Sequence, residues 1–145
     1  MTENPSISII VPVLNEEGSL DKFYKETTKS LDEYSNWEII FIDDGSDDES
    51  YNIIRKIADN DSRVSIIQFF KNFGKADALS EGFKKANGDI IITIDADLQD
   101  DPAEISRLII KIQEAGMLFL VGKRIEKILP QNGFLLSYLI WLPEF

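Results

Sequence analysis

Asp95-Ala96-Asp97 follows directly on the apolar run Ile90 to Ile94, and this is the stretch of the 145-residue chain that concentrates the most chemistry. Two carboxylates two residues apart at a strand terminus repel each other unless something neutralises them. Hard oxygen donors of this kind suit a divalent cation, Mg2+ or Mn2+. In an alternating α/β chain, ligands lie just beyond the carboxyl ends of the strands, where this pair would stand. A metal held there most often bridges the phosphates of a nucleotide. Two other strand ends carry polar groups, Val11-Pro12-Val13-Leu14-Asn15-Glu16 and Phe41-Ile42-Asp43-Asp44-Gly45-Ser46. Asp44, an acceptor when ionised, could take the N–H of a base. Lys75 follows Asn72-Phe73-Gly74 at a helix start, where N–H groups could meet an anion. Arg124, in Gly122-Lys123-Arg124, offers a phosphate two donors at once.

Each motif has a plainer reading. Asn15-Glu16 after a proline makes an ordinary strand-to-helix turn, and Ser46 with Asp47 would form a capping turn on their own. Asp-Asp at a strand end also occurs in phosphorelay receiver domains. Lys75 reads equally as a solvated lysine. Asp101 is expected to be an N-cap and Asp100 to be solvated. Asp95 and Asp97 have no such explanation, and an unpaired buried carboxylate is costly. A calcium loop of the EF-hand kind would need Gly at Asp100 and Glu at Ser106. A metal-dependent phosphatase motif also begins Asp-x-Asp after an apolar strand, but continues with Ser or Thr where this chain has Gln99.

The elements that must position these residues alternate. Ile7 to Val13 is a near-continuous apolar run, as in a strand covered on both faces. Helical spacing runs from about Gly18 to Tyr34, with Leu20, Phe23, Thr27, Leu31 and Tyr34 on one face. Trp37 to Ile42 is a second strand. Ser46 with Glu49 forms a capping-box pattern for a helix that turns Ile53, Ile54 and Ile57 inward. Val64 to Phe70 is a third strand. Residues 75–86 are helical, with Leu79 and Phe83 on one face, and Asn87-Gly88 stops them. After the fourth strand, Ile90 to Ile94, Asp101 caps a helix with Pro102 at its first position and Glu104 at N3. Its apolar face is Ile105, Leu108, Ile109 and Ile112, and Gly116 ends it. Met117 to Val121 is a fifth strand. The alternation implies an α/β fold, a mostly parallel sheet with helices on both faces. Residues 1–124 form one core, and residues 125–145 are expected to be a helix-prone tail.

A net charge of −11, from 26 acidic and 15 basic residues, argues against binding nucleic acid. It also gives no polybasic handle for anionic lipid. With no cysteine and no histidine, catalysis must use carboxylates, Lys, Arg, Tyr, backbone or a metal. No basic segment precedes an apolar core at the N-terminus, so a signal peptide is not expected and the expected location is cytoplasmic. Phe134 to Leu142, interrupted by Ser137, is shorter than the ~20 apolar residues that span a bilayer. With Trp141 it suggests a subunit contact, as in a homo-oligomer, or a membrane-surface contact, against ordinary packing on the sheet.

Taken together, these motifs resemble the family 2 glycosyltransferases of GT-A fold, in order and spacing, over residues 6–124. Asp95-Ala96-Asp97-Leu98-Gln99-Asp100 is the most specific piece. The resemblance is nearest to the polyprenyl-phosphate sugar transferases, the dolichol-phosphate mannosyltransferase-like branch, and so to cell-envelope polysaccharide synthesis. It implies a nucleotide-diphosphate-sugar donor, inversion at the anomeric carbon, and a polyprenyl phosphate acceptor at the cytoplasmic face of a membrane, with a saccharide acceptor as runner-up. Pro12, Leu14 and Glu16 would line the nucleoside pocket, and Ile42 and Asp44 would hold the base. Lys75 would join the donor site. Asp95, Asp97 and Gln99 would hold Mg2+ or Mn2+ on the diphosphate, with Ala96 beside the ribose or phosphates. Asp97 and Arg124 would be the catalytic pair, Arg124 on the diphosphate or the acceptor phosphate. Family members continue well beyond this length, so the C-terminal part of the fold is expected to be missing. The rival expectation is a nucleotide-and-metal-binding module without full activity.

Overall fold

The computed structural model describes residues 4–114 and 140–141. Four strands and four helices alternate: β1 (Ile7–Val13), α1 (Leu20–Ser30), β2 (Trp37–Asp43), α2 (Ser50–Asn60), β3 (Val64–Gln68), α3 (Lys75–Lys85), β4 (Ile90–Thr93) and α4 (Glu104–Glu114), with a short β5 (Ile140–Trp141). The sheet order is β3-β2-β1-β4-β5. The first four strands are parallel, and β5 runs antiparallel to β4, Ile91 opposite Trp141 and Ile92 opposite Ile140.

Residue alternation in the strands divides the core. Ile7, Ile9, Val11 and Val13 of β1 join Ile39, Phe41, Ile90 and Ile92 under α1, α2 and α4. Ile10 joins Ile40, Ile42 and Ile91 under α3. The helices therefore cover both faces, as the unbroken apolar runs demand. All four apolar residues expected to face inward from α4 are buried. On α3 the deepest positions are small, Ala78 and Gly82, and Leu79 and Phe83 pack around them. Ser30 donates to the Pro102 carbonyl at 2.7 Å, joining the end of α1 to the start of α4.

Several boundaries differ from the sequence expectation, for tertiary reasons. α1 stops at Ser30 rather than Tyr34, although Leu31 stays buried in the turn that follows. β3 stops at Gln68 rather than Phe70, because its partner β2 ends at Asp43, opposite Gln68. Phe70 is left 87% exposed. The Ser46–Glu49 capping box does not form: Glu49 is the N-cap of α2 and makes no side-chain cap bond, while Ser46 serves another loop. Of the tail read as helix-prone, Ile140–Trp141 form a strand instead, since the open edge of β4 offers a ladder that local sequence cannot reveal. The Met117–Val121 strand, the Gly116 stop and the remainder of the Phe134–Leu142 stretch lie outside the described residues.

Away from the carboxyl edge, one polar cluster ties α1 and β2 to the turn between α2 and β3. Asp61 accepts the Tyr24 hydroxyl at 2.7 Å and two Arg63 guanidinium N–H groups at 2.9 Å each. The Arg63 guanidinium lies 3.7 Å from the centroid of the Trp37 ring. Arg63 holds the Asp61 carboxyl down to about 2, and the Tyr24 hydroxyl reinforces this. Burial, followed by the Asp61 bond, pushes Tyr24 up to about 12.

Because the folded pKa of Asp61 is depressed, its contribution is complete above about pH 4 and is lost as pH falls toward 2. With Arg63 half exposed, Asp61→Asn should cost roughly 1–2 kcal/mol near neutral pH. Urea denaturation should show the gap between wild type and variant narrowing at about pH 2.5; an unchanged gap would assign the loss to packing. A second substitution tests the turn after β2. Gly45 has φ +76°, and a Cβ there would fall 2.4 Å from the Lys71 carbonyl carbon and 2.5 Å from the Asn72 nitrogen. Gly45→Ala should cost roughly 2–3 kcal/mol from left-handed backbone plus overlap, seen as a lowered Tm. Unchanged stability would mean that the Lys71–Asn72 backbone retreats freely.

Candidate functional site

The strand order makes β1 the pivot of the sheet, with β2 on one side and β4 on the other. This is a topological switch point, the place where open α/β sheets form a crevice at the carboxyl ends of their strands. The last β1–β4 partners are Ile10 and Thr93, and Ile94 N–H closes the ladder on the Ile10 carbonyl at 3.1 Å. Pro12, which has no N–H to give, sits past that point, so a proline is tolerated in a central strand. Pro12 is half-buried and pairs with Ile42 of β2.

The loops after β1 and β2 are stitched to each other. Asn15 N–H donates to Ser46 Oγ at 3.0 Å, and Asp47 N–H returns to Asn15 Oδ1 at 3.0 Å. Glu16 N–H donates to Ser50 Oγ at 2.8 Å, Glu17 N–H to Asp48 Oδ2 at 3.2 Å, and Glu49 N–H to Glu17 Oε2 at 2.9 Å. Asn15 reaches this arrangement with φ +54°, which asparagine tolerates better than most residues. The stitching exposes Leu14, 42% accessible, at the crevice edge. It also sets Glu16, half-buried, where the Ser19 hydroxyl donates to its carboxylate at 3.1 Å. Burial pushes the Glu16 carboxyl above its ordinary range against the pull of Ser19, and the charges of Asp97, Asp95 and Asp48 push it further. Glu16 thus lies within electrostatic range of the Asp95–Asp97 pair, some eighty residues away in sequence.

At the end of β2 two buried carboxylates divide the work. Asp43 Oδ1 accepts Ser46 N–H at 3.1 Å, and its Oδ2 is buried without a protein partner. Asp44 reaches the loop that follows β3: its Oδ1 accepts Phe73 N–H at 2.8 Å and its Oδ2 accepts Gly74 N–H at 3.1 Å. Gly74, at φ +103°, supplies the backbone turn that presents both N–H groups. The next residue, Lys75, opens α3 and donates to Asp95 Oδ2 at 2.7 Å. Asp44 thereby anchors the loop from which Lys75 reaches across to β4.

Beyond β4 the chain turns sharply. Gln99 N–H donates to Asp97 Oδ1 at 3.0 Å, and Leu98 takes φ +62°, turning its side chain onto the core. Asp95 and Asp97 are half-buried and Gln99 is exposed. Asp100, expected to be solvated, is buried and has polar contacts of its own; the Leu98 turn brings it inward. Asp101 is exposed and its Oδ1 accepts Ala103 N–H at 2.9 Å, consistent with the expected cap.

The structure therefore brings together Glu16, Lys75, Asp95 and Asp97, with Asp44 behind them. It spends two expected site residues in the core: the Ile42 side chain packs under α3, and Ala96 packs on the opposite face. Arg124 lies outside the described residues. Among the described residues, no three Asp, Glu, His or Cys side chains converge as a complete metal cage. Two carboxylates nonetheless fit a cation such as Mg2+, which commonly takes one or two carboxylates and completes its shell with phosphates and water. Asp48 and Ser50, which help hold the crevice loops in place, were not singled out from sequence, and Asn15 was read only as part of a turn. Their only local signal is a polar residue in a strand-to-helix turn.

The chain matches the family described as Glycosyl transferase family 2 over residues 8–143. Over 110 residues it is 42% identical to the undecaprenyl-phosphate 4-deoxy-4-formamido-L-arabinose transferase of Salmonella choleraesuis (strain SC-B67), covering 74% of this chain and 34% of that protein. It thus spans about a third of the length of the curated relatives it matches. The mannosyltransferase PcManGT from Pyrobaculum calidifontis, in complex with GDP-Man and Mn2+, aligns with a TM-score of 0.60 at 25% identity, covering 66% of this chain and 28% of that one. S. aureus TarS 1-349 in complex with UDP-GlcNAc aligns with a TM-score of 0.56 at 25% identity, covering 75% of this chain and 31% of that one. The family match reaches across most of the sequence, and the sheet and its helices are those of GT-A transferases: the chain belongs to glycosyl transferase family 2.

Proposed function

We propose that this chain is the donor-binding part of an inverting glycosyltransferase, which moves a sugar from a nucleoside-diphosphate sugar to a polyprenyl phosphate. The observation that carries the reading is the pairing of Lys75 with Asp95, beside Asp97, at the carboxyl edge of the sheet, with Asp44 anchoring the loop that leads into Lys75. GDP-Man with Mn2+ in one relative and UDP-GlcNAc in another support a nucleotide-sugar donor and a divalent cation, Mg2+ or Mn2+. The undecaprenyl-phosphate transferases support the acceptor, and work at the cytoplasmic face of a membrane is part of the same proposal. Among the described residues no helix is long and apolar enough to cross a membrane. A saccharide acceptor is the runner-up.

In this reading Pro12, Leu14 and Glu16 border the nucleoside on the β1 side, and Asp44 takes a base N–H. Ile42 and Ala96 act from the core, by shaping the floor. Asp95, Asp97 and Gln99 would hold the cation, and the Gln99 N–H steadies Asp97. When bound, the cation neutralises the charge that develops on the departing nucleoside diphosphate. An acceptor phosphate oxygen attacks the anomeric carbon opposite the leaving oxygen, the carbon–oxygen bond to the diphosphate breaks, and the configuration inverts. The nucleophile is already an anion, so a chain without histidine lacks nothing it needs for proton removal. Arg124 is assigned to the diphosphate or the acceptor phosphate. A second reading is that the chain binds nucleotide and cation without full turnover; the observation that favours it is that the chain spans about a third of its relatives' length.

Calorimetric titration of UDP and GDP, with and without Mn2+, tests the donor site. Wild type should bind one of them in a cation-dependent way. Asp97→Ala should weaken that binding by roughly 10- to 100-fold, the loss of one charged ligand group of about 2 kcal/mol, while leaving the melting transition in place. No binding of either nucleotide by the wild type would sink the donor-site reading.

A further inference from the structure

Lys75 is ion-paired with Asp95, one of the two carboxylates that the donor-site reading assigns to the cation. Its ammonium sits 2.7 Å from Asp95 Oδ2, one of the oxygens a metal would take. The pair is open to water, with the Lys75 side chain 56% exposed and that of Asp95 31% exposed. Such pairs add little to fold stability and break easily. Geometry rather than stability explains the pairing. Asp44 clamps Phe73 and Gly74, so the backbone immediately before Lys75 is fixed, and Lys75 extends from that anchor to the end of β4. Around the same point, Glu16 feels the charges of both Asp97 and Asp95. Asp95 and Asp97 stand two residues apart at the end of β4, and the Lys75 ammonium supplies a positive charge to one of them, Asp95.

We propose that Lys75 is a resident counter-ion that competes with the divalent cation for Asp95 and transfers to the donor's diphosphate when the cation arrives. The proposal rests on the donor-site reading for its second half only. A metal at Asp95 and an ammonium on the same carboxylate oxygen exclude each other and repel. In the absence of nucleotide, the incoming cation must strip Lys75 of its partner. In the presence of nucleotide, the released ammonium finds phosphate oxygens within reach of the same site. Cation and nucleotide therefore favour each other's binding, and by linkage the effect is reciprocal. The chain binds neither a bare metal nor bare charge strongly, and selects the metal–diphosphate pair.

The experiment is a Mn2+ titration followed by the electron paramagnetic resonance signal of free Mn2+. Wild type, Lys75→Met, Lys75→Arg and the double variant Lys75→Met/Asp95→Ala are compared, each without nucleotide and with saturating UDP or GDP. Without nucleotide, Lys75→Met should bind Mn2+ roughly tenfold more tightly than wild type, because a competing charge is gone. Lys75→Arg should resemble wild type, and the double variant should lose the gain. The ratio of Mn2+ affinities with and without nucleotide should fall by roughly tenfold in Lys75→Met. Equal or weaker Mn2+ binding by Lys75→Met in the absence of nucleotide, including none that can be measured, overturns the counter-ion role. If that gain appears but the ratio is unchanged, transfer to the diphosphate is overturned. Failure of wild type to bind either nucleotide would defeat the donor-site reading separately, while the nucleotide-free comparison still decides whether Lys75 competes at Asp95.

Discussion

Carboxylates crowd the carboxyl edge of the sheet, where Glu16, Asp43, Asp44, Asp95 and Asp97 arrive from three different strand ends, and like charges in partly dry surroundings must find donors or cations. The loops are shaped by the partners they supply. Asp43 is met by the Ser46 N–H, Asp44 by those of Phe73 and Gly74, Asp97 by that of Gln99, and Asp95 by the Lys75 ammonium. Backbone N–H groups solve most of the problem, which requires loops that turn back on the strand ends. Hence the positive φ angles at Asn15, Gly45, Gly74 and Leu98 all fall at this edge. Strained backbone is retained where surrounding contacts over-determine it.

The same bonds make the crevice a fixed shape. Five hydrogen bonds join the loop after β1 to the loop after β2 and the first residue of α2, three donated from the β1 side and two from the β2 side. Gly45 lets the backbone at Lys71 and Asn72 close against the turn after β2, so the loop after β3 joins the same assembly. Three loops that would each be mobile alone are held as one rim. A rim set in advance spends less of the binding free energy of a ligand on ordering. It also keeps Lys75 and the Asp95–Asp97 pair in register although they come from opposite sides of β1.

The parallel sheet was legible because its strands are apolar on both faces, so burial alone specifies them, whereas the local role of Asp97, which accepts the Gln99 N–H, was not. What else escaped the sequence depends on residues about thirty positions apart. Ser46 looks like a cap for its own helix, yet its hydroxyl accepts Asn15 N–H from another loop, and Ser50 serves Glu16 in the same way. Asp44 reads as a base acceptor, but its bonds to Phe73 and Gly74 cannot be inferred from neighbouring sequence. Asp100 seemed free to face water; one left-handed residue, Leu98, redirects it inward. The Ile140–Trp141 strand follows from an open sheet edge, a property of the fold rather than of those two residues.

Asp44 holds the loop after β3, and its carboxylate would leave room for a second duty that a neutral side chain could not combine with the first. An ionised carboxylate has about four lone-pair positions, and the loop takes one on each oxygen, so one further N–H can be accepted without releasing Phe73 or Gly74. An asparagine in its place would turn one oxygen into a donor and set it against a backbone N–H. A base held at Asp44 would share its carboxylate with the loop that carries Lys75, one residue beyond Gly74. The base end and the phosphate end of a nucleotide would then be read by a single short segment, residues 72–75, hung between the ends of β2 and β4. That continuity is the physical reason for the buried aspartate at the strand end: it positions the cation-bearing loop whether or not a ligand is bound, and a ligand that satisfies it adds to a geometry already in place.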